Sequence, residues 1–165
     1  MKKYFLSLIS YNAWANQKLA SVIVDSGEDA ALLLQKSSFA TIRETAFHIW
    51  DAEGIWMKRL KGASLEEWPS KNFTGTTNVG LNFMVNGSRD YIDYVEALDE
   101  QDFSTVIHYT NIKGVAFQNS IAEILAHVMN HSTFHRGQLV TMLRGAGCTN
   151  LKSTDLIAFF REDAL

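Results

Sequence analysis

The sequence predicts an all-α chain folded as a four-helix bundle, and three observations predict it. Helix breakers are sparse, one Pro (Pro69) and 10 Gly in 165 residues, which favours long helices over a many-turned β architecture. Apolar residues recur at helical spacing through four long stretches. Two of these stretches open on a capping box, Thr41-Ile42-Arg43-Glu44 and Ser120-Ile121-Ala122-Glu123. In each, a hydroxyl accepts from the backbone N–H three residues on and the Glu reaches back to the cap.

The first helix is expected over residues 3–24, with Phe5, Ile9, Leu19 and Val22 on one stripe and a stop at Ser26-Gly27. After a loop or short turn, the second runs from Ile42 through Ile49, Ala52, Trp56 and Leu60 to a stop at Lys61-Gly62. Residues 63–78, with Pro69 and Thr74-Gly75-Thr76-Thr77, read as a long surface connection able to cover a pocket. The third helix is expected over 79–98, carrying Phe83, Tyr91, Val95 and Leu98. A small β-hairpin follows, with strands at 103–109 and 115–118 around Asn111-Ile112-Lys113-Gly114. The fourth helix spans 121–143 and closes on Arg144-Gly145-Ala146-Gly147, and a short amphipathic helix is expected at 153–162.

Composition narrows the function. A hydrophobic content of 47% over this length supports one domain, residues 1–165, with its own core. A net charge of −3 with no basic run argues against nucleic-acid binding. No apolar stretch approaches the roughly 18 to 20 residues that span a membrane. Met1-Lys2-Lys3 before Tyr4-Phe5-Leu6 has the outline of a signal peptide, but the apolar run stops at Ser10 while the helical stripe continues, so these residues read as a mature first helix. With Cys148 the single cysteine, no internal disulfide can form and a cytoplasmic location is expected.

The chemistry lies in the histidines. His127, His131 and His135 recur every fourth residue along the fourth helix, His48 lies in the second, and His108 in the hairpin reads as an ordinary strand residue. At about 100° per residue, His135 falls about 40° from the centre of the apolar face, His131 about 80° and His127 about 120°. His131 and His135 therefore lean inward and His127 falls on the flank. Imidazoles four residues apart can converge on one metal ion. The spacing alone leaves two readings, a ligand pair or core histidines hydrogen-bonded to their neighbours. A third ligand must come from another helix; His48 is the remaining helical histidine, but it sits about 100° from Ile49, near the edge of the apolar face, and periodicity does not require it to face the pair. Three neutral histidines would leave a divalent ion an open position for water or substrate, and Zn²⁺ and Ni²⁺ both suit imidazole.

Several segments together resemble the DinB/YfiT family: Tyr11-Asn12-Ala13-Trp14-Ala15-Asn16, Ser38-Phe39-Ala40-Thr41-Ile42-Arg43-Glu44 leading to His48, Asn130-His131-Ser132-Thr133-Phe134-His135-Arg136-Gly137-Gln138, and Thr154-Asp155-Leu156-Ile157-Ala158-Phe159. They span nearly the whole chain, and H-x-x-x-H-R-G-Q is the most specific of them. The resemblance implies an up-down-down-up bundle, a divalent metal held by His48, His131 and His135, and a homodimer. Relatives in that family include S-transferases using a low-molecular-weight thiol such as bacillithiol or mycothiol, a thiol-dependent isomerase and some hydrolases. The resemblance thus implies a small-molecule substrate and a metal-dependent transferase, with metal-dependent hydrolysis, or a non-catalytic metal- or ligand-binding stress-response protein, as alternatives.

Other residues carry weaker expectations. Glu53 points toward the core, where a buried carboxylate needs a partner: it reads as orienting a ligating histidine, as a general base, or as paired with Arg43, Lys58 or a residue of the fourth helix. Asp51 reads as solvated, Gln138 as a hydrogen-bonding neighbour of the site, and Gly137 as a point of close helix approach. Arg136 reads either as a surface or dimer-face ion pair or as a binder of an anionic substrate. Cys148 reads as an inert thiol, the tryptophans as packing, with Trp68 placed to roof a pocket.

Overall fold

The computed structural model describes residues 1–63, 67–111 and 113–162. Residues 64–66 of the expected long connection, Ile112 of the expected hairpin turn and the end of the chain after 162 lie outside the described residues. The order is α1 (Lys2–Ser26), α2 (Glu28–Leu32), α3 (Ile42–Leu60), α4 (Thr77–Ala97), a 3₁₀ turn (Asp102–Ser104), β1 (Val106–Thr110), β2 (Ala116–Ser120), α5 (Ile121–Gly145) and α6 (Leu156–Glu162).

Helix ends follow local chemistry. The start of α1 has no side-chain cap of its own; Glu100 supplies one, its carboxylate accepting from the Met1 ammonium at 3.0 and 2.9 Å and from Lys2 N–H at 3.0 Å. At α3, Glu44 N–H donates to Thr41 Oγ1, but the Glu44 carboxylate accepts from Ala40 N–H, one residue before the expected cap. The box at α5 is complete, with Ser120 N–H donating to Glu123 Oε2 and Glu123 N–H to Ser120 Oγ.

Four boundaries correct the sequence reading. The expected loop after α1 contains the short helix α2, whose Glu28 accepts from Thr77 N–H and Thr77 Oγ1 and so caps α4 from outside. With Thr76 accepting from Val79 N–H, α4 starts at Thr77 rather than 79. Phe103 belongs to the 3₁₀ turn, fully buried and stacked on Phe5 at 5.4 Å, so the first strand starts at Val106. Ser153 Oγ engages Asp155 N–H, an ST-type turn that delays α6 to Leu156.

In the bundle, α1 and α3 each pack against both α4 and α5, and the pairs α1/α3 and α4/α5 are diagonal. Two apolar layers give the directions. One gathers Phe5 and Ile9 near the start of α1, Met57 and Leu60 near the end of α3, Tyr91 and Val95 late in α4, and Ile121 to Val128 early in α5. The other gathers Leu19 and Ile23, Ile42 to Ile49, Leu81 to Val85, and Leu139 to Leu143, the opposite ends. Thus α1 and α5 run one way and α3 and α4 the other: up-down-down-up. The long α3–α4 connection exists because these neighbours are parallel. Phe83, expected on the core stripe, is half exposed and stacks on Trp50 at 5.3 Å. Gly137 has open space around it, so the expected close helix approach is absent there; it occurs at Gly80, where a Cβ would meet the Phe47 ring. Among the described residues no helix is long and apolar enough to cross a membrane.

Candidate metal centre

Because α3 and α5 pack directly side by side, His48 on α3 faces His131 and His135 on successive turns of α5. Their ring centroids lie 4.9, 4.6 and 4.4 Å apart, and one ring nitrogen from each can be chosen so that all three lie within 4.8 Å of one another. His48 Nε2 and His131 Nε2 are 3.1 Å apart. Two nitrogens on one ion, at bonds of about 2.0 to 2.1 Å and angles between square and tetrahedral, stand about 2.9 to 3.4 Å apart, so the spacing suits a shared ion.

The surroundings keep these rings neutral and aimed. Gln138 Nε2 donates to Ser38 Oγ at 2.8 Å, which turns Oε1 toward His135 to accept from Nδ1–H at 2.8 Å. That bond assigns the tautomer and leaves His135 Nε2 with a free lone pair. Burial, and secondarily the neighbouring His135, lowers the His48 pKa to about 4. Burial, then His135, His48 and His127, lowers His131 to about 4 as well. Burial lowers His135 despite the opposing bond to Gln138. Neutral imidazoles are the ligand form. The buried His131 Nδ1 has no hydrogen-bond partner among the described residues. The donor set and spacing fit a divalent ion.

Aromatic groups wall the cluster. Phe39 packs on His48 at 4.5 Å and on His135 at 5.9 Å, and Trp68 from the long connection lies 6.2 Å from His48. Two cavities meet there, both bordered by His48 and Trp68. One, of about 540 Å³, is lined by Phe39, Phe47 and Phe73; the other, of about 220 Å³, reaches His131, Trp56, Arg59 and Asn111.

Other candidate residues fall elsewhere. His127 sits against Trp56 at 4.9 Å, outside the triad, and His108 pairs with Gln118 across the hairpin. Asp51 is buried rather than solvated, accepting from Ser70 N–H at 2.7 Å and Ser70 Oγ at 2.6 Å, which ties the connection carrying Trp68 to α3. Arg136 is buried, not on a surface: it donates to Asn12 Oδ1, Asn16 Oδ1 and Thr133 Oγ1. Among the described residues Glu53 makes no hydrogen bond to a histidine; it accepts from Asn12, Asn16, Ser88 and Ser132, the last being the fourth-helix partner anticipated. Cys148 is partly buried against the core. Sequence reasoning missed Phe39 and the Asp51–Ser70 clamp. An aromatic residue just ahead of the Thr41 cap is the faint signal for the first; the second depends on a chain reversal that has no periodic signature.

A helical bundle whose α3 and α5 present three converging histidines is the class these observations define, a protein able to hold one divalent ion at a partly open site. The chain belongs to the DinB family, whose family model matches residues 1–161. It is 23% identical over 158 residues to Protein DinB of Bacillus subtilis strain 168, covering 89% of this chain and 88% of that one. Its fold is similar to the crystal structure of a DinB-like protein from Bacillus cereus ATCC 10987, with a TM-score of 0.71 at 17% identity, covering 90% of this chain and 94% of that one.

Proposed function

We propose that the protein is a metal-dependent thiol S-transferase, with His48, His131 and His135 holding one Zn²⁺ or Ni²⁺ ion and a low-molecular-weight thiol of the bacillithiol type as cosubstrate. The observation that carries this reading is the convergence of three neutral imidazoles at the junction of two cavities. A bound divalent ion lowers the pKa of a thiol placed beside it. The chain's own residues do the rest. His48 and His131 offer Nε2, and Gln138 holds His135 with its Nε2 free. Phe39 and Trp68 give the junction aromatic walls beside His48. The smaller cavity takes the thiol and the larger, aromatic-walled one the electrophile. The thiol proton passes to solvent, the sulfur lone pair forms the S–C bond, and the leaving group departs with the electrons of the bond it breaks. Homodimer formation and a cytoplasmic location belong to the same reading and rest on family membership and on the lone cysteine.

Two cavities favour two substrates over hydrolysis, in which water needs no cavity of its own. Elemental analysis of the purified protein is expected to give about one transition-metal equivalent per chain, falling sharply in His131→Ala; full occupancy in that variant sinks the ligand assignment. Scanning thiols against electrophiles then separates transferase from hydrolase, and silence in both, with metal bound, marks a binding module instead.

A further inference from the structure

Of Arg43 and Arg59, the two arginines that line the cavities beside the histidines, only Arg43 has an acidic partner among the described residues. Arg43 pairs with Glu28 at 3.1 Å, and Arg136 is engaged by two asparagines and a threonine. Arg59 has no carboxylate within ion-pair distance among the described residues; its one hydrogen bond is a long one, 3.4 Å from Nη2 to Thr110 O. It is nevertheless held in place. Its guanidinium carbon lies 4.3 Å from the Trp56 ring centre and 4.6 Å from that of Tyr109, and those rings meet edge to face at 5.2 Å. Tyr109 is itself fixed by donating to Asn119 Oδ1 at 2.7 Å. A cation clamped between two rings has already lost much of its side-chain freedom, so little ordering remains to be paid when it binds an anion.

The clamp borders the smaller cavity, whose wall also holds His48 and His131 and contains no aspartate or glutamate among the described residues. Asn111 lines the same cavity, and its Oδ1 is occupied by the backbone N–H groups of Lys113 and Val115, at 2.9 and 3.0 Å. Its Nδ2, a pure donor, is the end left for a ligand. The cavity therefore offers one fixed positive charge and one amide donor, the charge coming from the same helix as His48 but about three turns further along it. From residue 48 to 59 the backbone of α3 rises about 16 Å, and the long Arg59 side chain, tilted toward the helix start, shortens this to about ten.

We infer that the smaller cavity is an anion subsite in which Arg59 and Asn111 recognise a carboxylate of the thiol cosubstrate, separated from its sulfur by a chain of several atoms. The inference rests on the metal-centre reading for the placement of the sulfur, and on Arg59 alone for the charge preference.

The test uses matched pairs, ω-mercaptoalkanoic acids of three to eight carbons against mercaptoalcohols of the same length. Binding to the cobalt-loaded protein is read from thiolate-to-cobalt charge-transfer bands. The acid is expected to bind at least about tenfold tighter than its alcohol, with the preference greatest at intermediate length. Arg59→Gln should bring the pair within about twofold while leaving alcohol binding and the cobalt spectrum unchanged, and Arg59→Lys should restore part of the preference. Equal binding of acid and alcohol at every length, or a preference that survives in Arg59→Gln, overturns the subsite; the second would place the carboxylate on the metal. The metal-free protein provides an independent arm through the Trp56 indole resonance, which 6-mercaptohexanoate should shift in wild type and not in Arg59→Gln. No cobalt bands with that response intact would sink the metal centre and keep the subsite, whereas silence in both arms removes both.

Discussion

Removing the Glu53 carboxylate should be among the most destabilising single changes available in this chain. Glu53 is 1% exposed, and its oxygens receive bonds from three other helices. Oε1 accepts from Asn12 Nδ2 at 2.8 Å and Asn16 Nδ2 at 3.1 Å on α1 and from Ser132 Oγ at 2.9 Å on α5; Oε2 accepts from Ser88 Oγ at 2.6 Å on α4. The same two asparagines accept from buried Arg136 through Oδ1, so their amides relay between the cation and the carboxylate. Glu53→Ala removes an acceptor from four donors, of which Asn12 Nδ2 and Ser132 Oγ have no other while Asn16 Nδ2 keeps Ser88 Oγ and Ser88 keeps Met84 O, and it leaves Arg136 without a counter-charge. Breaking a buried charge arrangement by removing one member costs about 3 to 5 kcal/mol. Glu53→Gln separates charge from hydrogen bonding: its carbonyl can take the Oε1 position, and its NH₂ can donate to Ser88 Oγ if the Ser88 hydroxyl turns to Met84 O, 3.0 Å away. That variant should lose about 1 to 2 kcal/mol. Urea unfolding of the metal-free protein measures both. A loss below about 1 kcal/mol in Glu53→Ala, or equal losses in the two variants, refutes the claim that this carboxylate is held by its four donors.

Two further outcomes follow from the site. Gln138→Leu removes the acceptor that fixes the His135 tautomer, so zinc affinity measured by chelator competition should fall about tenfold; an unchanged affinity refutes the orienting role. The metal-free protein should lose stability as pH falls from 6.5 toward 4, because His48 and His131 resist protonation when folded, with pKa values lowered to about 4, while the unfolded chain takes up protons from about 6.5 downward. Since both rings are only half buried, the pair contributes on the order of 1 to 2 kcal/mol after screening. In a double His48→Ala, His131→Ala variant the urea midpoint should fall less over that interval; an identical pH dependence counts against the assignment.

The long helices were legible because periodicity, caps and glycine stops coincide in sequence, and Thr41 and Ser120 mark the starts of α3 and α5 to the residue. Boundaries went astray where the deciding group is distant: Glu28 and Thr76 set the start of α4 together, and Phe103 leaves the strand because Phe5 packs over it. At the site, spacing turned His131 and His135 inward, but which groove His48 faces depends on how α3 sits against α5, and helical periodicity does not encode that. The misplacement of Arg136 has the same root. Its inwardness is set by Asn12 and Asn16, more than a hundred residues away in sequence. A charged residue beside a candidate ligand reads as surface unless its buried partners are known.

That buried network bears on the chemistry of the centre. Along α5 the His131-Ser132 and His135-Arg136 pairs point their members apart, each histidine toward His48 and each following residue toward Glu53 or the asparagines bound to it. Glu53 and His48 lie on one helix, so the α3–α5 register that sets the His48–His131 gap of 3.1 Å is also held from behind by the Ser132–Glu53 bond. An ion tolerates only a few tenths of an ångström in its ligand distances, and apolar packing alone allows helices to slide by more than that at modest cost. A directional, hydrogen-bonded polar layer directly behind the three histidines opposes such sliding. The part of the sequence that most resembles a ligand motif is therefore half candidate ligand and half frame, and substitutions in the frame should change the spacing of the three histidines without touching them.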